Sequence, residues 1–165
     1  MPTPARSAKG VSISRPGLGY KAQVADNDAG IIPGYRAGLG AAPDGPQLAP
    51  AVRRIRQRAG RVPRAVAADR GYGQPGVERD LHALGVRTVA IPRQARTAPA
   101  RKTIEHSRGF HELVKWRTGS EGRISYLKRS YGWDRTRLDG QPGAAIWCGH
   151  GVLAHNLVKI AALAG

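Results

Sequence analysis

An α/β fold, with a mixed sheet flanked by helices, is what this sequence predicts, and three observations predict it. Residues 64–92 read as strand, helix, strand, residues 20–37 read as a hairpin, and two later segments carry apolar residues at helical spacing. A strand–helix–strand unit of about 30 residues requires a parallel pair. The hairpin adds antiparallel strands, so the sheet is mixed.

A chain of 165 residues suits one domain with a sizeable core. Its 27 Lys and Arg against 11 Asp and Glu give a formal charge of +16. The commonest physical cause of such an excess is a polyanionic partner, nucleic acid first. A single cysteine, Cys148, excludes an internal disulfide and a paired-cysteine zinc knuckle. Arg6 and Lys9 are followed by no apolar run, so no signal peptide is visible. Residues 143–165 are long and apolar enough to raise the question of a membrane span. His150, His155, Asn156 and Lys159 interrupt them, each costly in lipid. A buried helix is therefore expected, with no membrane partner.

Residues 1–19, rich in Gly, Pro, Ser and basic residues, are expected to form a flexible basic arm, and residues 20–165 the domain. The run YKAQVAD at 20–26 alternates, and DNDAG at 26–30 is turn chemistry before a second extended run over 31–37. Asp26 and Asp28 are read as turn formers rather than metal ligands. Leu48, Val52, Ile55 and Ala59 then recur at helical spacing, with Gly60 as a stop. Arg53, Arg54, Arg56 and Arg58 lie on the other face, and no acid between Asp44 and Asp69 balances six arginines. Such a face favours phosphate.

The run RAVAADRGYG at 64–73 reads as a short buried strand that delivers Asp69 at its carboxyl end, where α/β sheets collect their ligands. The plainer account is that Asp69 only caps the turn that follows. Pro75 suits the first turn of a helix with Val77, Leu81 and Leu84 as its apolar positions and Gly85 as its end. A second strand spans 88–92. Residues 93–109, with Arg93, Arg96, Arg101, Lys102 and Arg108, are expected to form a flexible basic loop.

Around residues 116–128 the offsets of Arg117, Glu121 and Lys128 put all three on one helical stripe, beside an apolar stripe of Leu113, Trp116, Ile124, Leu127 and Tyr131. A carboxylate at the edge of a buried face, between two cations, suits a metal-holding acid beside phosphate-binding groups. The plainer account makes Thr118 a helix cap with Glu121 closing a capping box. In YGWDRTR at 131–137, rings alternate with cations, a pattern able to stack on bases and clamp backbone, although Trp133 is equally suited to packing. The chain closes with a helix presenting Ile146, Val152, Leu153, Leu157, Ile160 and Leu163. Cys148, His150 and His155 lack a fourth ligand for zinc.

Two separated stretches resemble one family. ADRGYG at 68–73, and then Arg117, Glu121 and Lys128 with three and six residues between them, are similar to the insertion-sequence DDE transposases of bacteria. Their signature is Tyr, two residues, Arg, three residues, Glu, six residues, Lys. EGRISYLKRSYGWDRTRL and GAAIWCGHGVLAHNLVKIA also look like the C-terminal part of such a catalytic domain. The resemblance implies an RNase H-like fold in which two aspartates and a glutamate hold two Mg²⁺ or Mn²⁺ ions about 4 Å apart for in-line phosphoryl transfer. It makes Asp69 the second aspartate, Glu121 the glutamate, and Arg117 and Lys128 contacts to DNA. Arg123, Arg129, Arg135 and Arg137 are the further cations expected on the DNA. The signature Tyr falls at Val114. No acid precedes Asp26, so the first aspartate and the first central strand that carries it are expected to be missing, as in a truncated copy.

The leading expectation is thus an incomplete transposase domain, cytoplasmic and nucleoid-associated, whose partners are double-stranded transposon ends and a second copy of itself. A catalytically inactive DNA-binding remnant is the alternative. An RNA-binding protein would need stacking platforms, and aromatic residues make up only 5% of the chain.

Overall fold

The computed structural model describes residues 5–15, 18–40, 43–94 and 97–165, with side chains from Tyr20 onward apart from those of residues 119–121. Strands β1 (Ala5–Arg15), β2 (Leu18–Asn27) and β3 (Gly34–Leu39) form an antiparallel sheet in the order β1-β2-β3. Helix α1 (Gly45–Ala59), strand β4 (Ala65–Ala67), a 3-10 turn (Arg70–Tyr72), helix α2 (Val77–Ala83) and strand β5 (Thr88–Ala90) come next. Helices α3 (Pro99–Glu105), α4 (Arg108–Tyr131) and α5 (Gly140–Ala164) complete the chain. β4 and β5 pair in parallel, with Ala65 opposite Thr88 and Ala67 opposite Ala90, as the strand–helix–strand reading requires. The α/β architecture is as expected, but among the described residues the strands form two small sheets, one antiparallel and one parallel, rather than a single mixed sheet.

The sequence predicts a loose arm over residues 1–19 and no first central strand, and here the structure differs. Residues 5–15 form β1, which pairs with β2 from Ala5 opposite Asn27 to Arg15 opposite Leu18 and lies alongside β4 without a ladder to it. Residues 1–4 lie outside the described ones. The physical reason is the edge of β2, whose unpaired backbone groups favour a partner. Val11 and Ile13, alternating with serines, are fit to supply one. β1 contributes no acid, since its sequence is ARSAKGVSISR.

Helices cover both faces. On one, Leu48 and Val52 of α1 and Val77 and Leu81 of α2 bury Val66, Ala68, Val89 and Ile91. On the other, Phe110 of α4 packs on Ala67 and Ala90. Further along the same helix, Ile124 and Leu127 join Tyr20, Ala22 and Val24 of β2 and Ala144, Cys148 and Val152 of α5. With both faces covered, every residue of β4 is buried, the usual condition of a parallel strand.

α4 therefore reaches across both sheets, which takes more turns than the sequence suggested. It begins at Ser107, whose hydroxyl accepts from Phe110 N at 3.4 Å, and stops at Gly132 in the left-handed region at φ 66°. Thr118, expected as a cap, sits mid-helix and gives its hydroxyl to the Val114 carbonyl at 3.3 Å. Trp133 is completely buried in the core with α5, so packing is its role rather than stacking on bases.

Residues 93–109 are not simply a loop. α3 lies within them, and Arg101 pairs with Glu78 at 2.8 Å and Glu105 at 2.9 Å, while Arg93 reaches Glu78 at 3.1 Å. Two acids at helical positions turned this basic stretch into an ordered one.

α5 also departs from its expectation. One face is buried, but Ile146, Leu153, Leu157, Val158, Ile160 and Leu163 are each more than half exposed. Among the described residues no helix is long and apolar enough to cross a membrane.

Candidate functional site

Asp69 stands two residues beyond the end of β4, after the buried Ala68, where the chain leaves the sheet. The sequence offered two accounts of it, and the structure carries features of both. The residue is half-buried at a strand's carboxyl end, and its Oδ1 accepts from Gly71 N at 2.8 Å, capping the 3-10 turn. The loop is pressed onto the segment after β5. Arg70 Nε donates to the Arg93 carbonyl at 2.9 Å and Gln94 Nε2 donates to the Gly71 carbonyl at 2.9 Å. A methyl group at position 73 would stand 2.1 Å from the Pro92 carbonyl oxygen, so only glycine fits there.

A second carboxylate faces the same loop, and sequence reasoning missed it. A methyl group built on Gly71 would lie 2.8 Å from Asp69 Oδ1 and 3.4 Å from Asp44 Oδ2, so both oxygens lie close to Gly71. Asp44 occupies the N-cap position of α1 but makes no cap bond. Lys21 Nζ lies 2.5 Å from its carboxylate, and Gln23 Nε2 donates to Oδ1 at 2.8 Å. Lys21 and Gln23 project from the face of β2 opposite to buried Ala22 and Val24. The only sequence signal was that strand alternation, since more than twenty residues separate Asp44 from each partner.

Tyr72 follows Gly71 in the same loop and is buried, at 1% exposed. Burial first, and then the charges of Asp44 and Asp69, push the phenol well above its ordinary range, while a hydrogen bond with the Gln23 side chain acts the other way.

The other expected residues divide into groups. Glu121 belongs to α4, but its side chain lies outside the described ones, as does any convergence with Asp69. Arg117 and Lys128 of the same helix are half-buried. Arg123 turns inward to pair with Asp26, which is 3% exposed at the end of β2. Asp26 thus has more to do than form a turn, whereas Asp28 is exposed. Arg129, Arg135 and Arg137 are exposed cations.

Among the described residues no three His, Cys, Asp or Glu side chains gather as metal ligands. His155 is buried and bonds through Nε2 to the Gly30 carbonyl at 2.9 Å, an anchor for the β2–β3 turn. Burial pushes the Cys148 thiol up to about 11, so it is inert packing.

The family model of the transposase DDE domain matches residues 10–157. This chain belongs to that family. No curated protein matches it. Among solved structures the domain is similar to a chain of the cryo-EM structure of the simian T-cell lymphotropic virus intasome in complex with PP2A regulatory subunit B56 gamma. The identity is 13%, the TM-score 0.46, and the alignment covers 90% of this chain and 49% of that one. The transposase domain thus spans about half the length of that viral chain.

Proposed function

We propose that this transposase domain, RNase H-like in fold, acts in DNA-mediated transposition by binding double-stranded transposon ends. Asp69 and Glu121 are its metal carboxylates for Mg²⁺ or Mn²⁺, and Arg117, Lys128, Arg129, Arg135 and Arg137 meet phosphate. The observation that carries this reading is Asp69 at the carboxyl end of the buried parallel strand β4, within the stretch matched by the family model. The charge of +16 supports DNA as the partner.

Two metals gripping one phosphate need three converging carboxylates. β1 carries no acid, and Asp26 is paired with Arg123, so β1 offers no counterpart to the family's first aspartate. The chain by itself therefore binds DNA without cutting or joining it. The test is a strand-cleavage and mobility-shift assay with Mg²⁺ or Mn²⁺ on DNA bearing the element's ends, run beside an Asp69→Ala, Glu121→Ala double variant. Retarded but intact DNA is expected from both. Metal-dependent cleavage that vanishes in the double variant would show the chain to be a complete nuclease, and absence of any retardation would remove DNA as partner.

A further inference from the structure

We infer that the outward face of α5, a stripe made by Ile146, Leu153, Leu157 and Ile160, is the seat of a second copy of this chain, the two helices packing against each other about a two-fold axis. The pairing needs neither DNA nor metal, and stands independently of the function proposed above.

At about 100° per residue these four side chains fall within one narrow sector of the helix. They recur after seven, four and three residues, the spacing by which helices pack in pairs. Each is more than half exposed, at 51%, 59%, 59% and 54%. The inward face cannot exchange places with them. Ala144, Cys148, Gly151, Val152 and His155 are buried on the opposite side. The Asn156 side chain accepts from Ile32 N at 2.8 Å and donates to the Ile32 carbonyl at 2.9 Å, while Trp147 Nε1 donates to the Gly132 carbonyl at 2.8 Å. The helix is thus fixed along its length and presents the outward stripe ready-made, which lowers the ordering cost of association.

Area and charge both point to a second copy. Val158 and Leu163 flank the stripe, 56% and 63% exposed. With about 100 Å² free on each of the six side chains, two copies can remove roughly 1,200 Å² from water, the lower end of what a stable interface needs. Left uncovered, a patch of about 600 Å² is at the upper limit for a monomer. Lys159 is the one charged residue in the sequence of α5, and its side chain lies against Gly30, on another side of the helix. DNA therefore finds no cation on this face, and a lipid surface finds none of the flanking Lys and Arg that hold an amphipathic helix to it. Two copies carrying +16 each repel, and an uncharged face is where they meet at least cost. A two-fold contact also sets the same apolar patch against itself, so no other complementary partner is required.

The test is sedimentation velocity on the whole chain, freed of nucleic acid, over a range of concentrations and at about 0.5 M salt to screen the like charges. A reversible dimer is expected, with a dissociation constant in the micromolar range, as suits an interface of this size. Leu153→Glu and Leu157→Glu should each weaken it about tenfold or more, since a two-fold interface contains every substitution twice. Circular dichroism checks folding, and Leu157→Gln replaces the charged variants if they fold poorly. Ile104→Glu, on a residue of α3 that is 51% exposed, is expected to leave the dimer unchanged. A monomer at every concentration overturns the proposal. So does a dimer that the α5 variants leave intact, one that Ile104→Glu dissolves equally, or growth into larger assemblies. A monomer that instead binds anionic lipid vesicles, and no longer does so as Leu153→Glu, would give the face to a membrane surface and overturn the proposal as well.

Discussion

Gly73 shows how much one missing atom decides at the residue scale. The loop that carries Asp69 touches the backbone after β5, and the Pro92 carbonyl occupies the space a side chain would need, so the ADRGYG run owes its last glycine to that approach. Gly73→Ala must separate the two segments. We expect it to destabilise the domain by about 1–3 kcal/mol, as overpacking does, and to displace Asp69. Denaturant unfolding measures the first, and Mn²⁺ uptake the second. A variant as stable as the parent would mean that the loop gives way easily. Arg123 and Trp133 make a similar point, since a cation and a ring that would serve DNA equally well are instead used inside the protein.

Among the elements, α3 owes its position to charge. Arg101 is held between Glu78 and Glu105, and Arg93 ties to Glu78 and, through its backbone, to Glu105 at 3.1 Å. Burial alone would raise the Glu105 carboxyl, but hydrogen bonds from Arg101 and the Arg93 backbone, with both guanidinium charges, hold it below its ordinary value. A depressed carboxyl contributes stability that is present above its unfolded pKa of about 4.3 and is lost as pH falls through the lower folded value. The expected outcome is an acid limb of thermal stability below about pH 4 that Glu105→Gln flattens. That variant should also lose about 1–2 kcal/mol at pH 7, because Arg101 keeps only one of its acids. Parallel acid limbs in the two proteins would place the titration elsewhere.

For the whole molecule, 27 cations against 11 acids support the proposed polyanionic partner. Several of those cations are spent internally, on Asp26, Asp44, Glu78 and Glu105, which leaves the exposed arginines of α1, Arg129, Arg135 and Arg137 for a polyanion. DNA affinity is therefore expected to fall steeply from about 50 to 200 mM salt, and removing Arg135 or Arg137 should lower the slope of log affinity against log salt by about 1 each. Fluorescence anisotropy on a duplex measures this. A flat salt response would count against DNA, and unchanged slopes would put the contact face elsewhere.

The sequence by itself determined what is local. Apolar spacing marked α1, α2, α4 and α5, alternation marked the β2–β3 hairpin, and the small apolar run before Asp69 marked β4, because each pattern is a direct image of helix or strand period. Two motifs also sufficed to point to the transposase family. What only the tertiary structure decided lies between elements far apart in the chain. β1 is a strand because β2 offers it an edge, and a composition of Gly, Ser and basic residues cannot announce that. The basic stretch after β5 became α3 because two acids await its arginines. Asp44 joined Asp69 because α1 and the loop after β4 meet at Gly71, and no period or motif links two residues that only packing brings together.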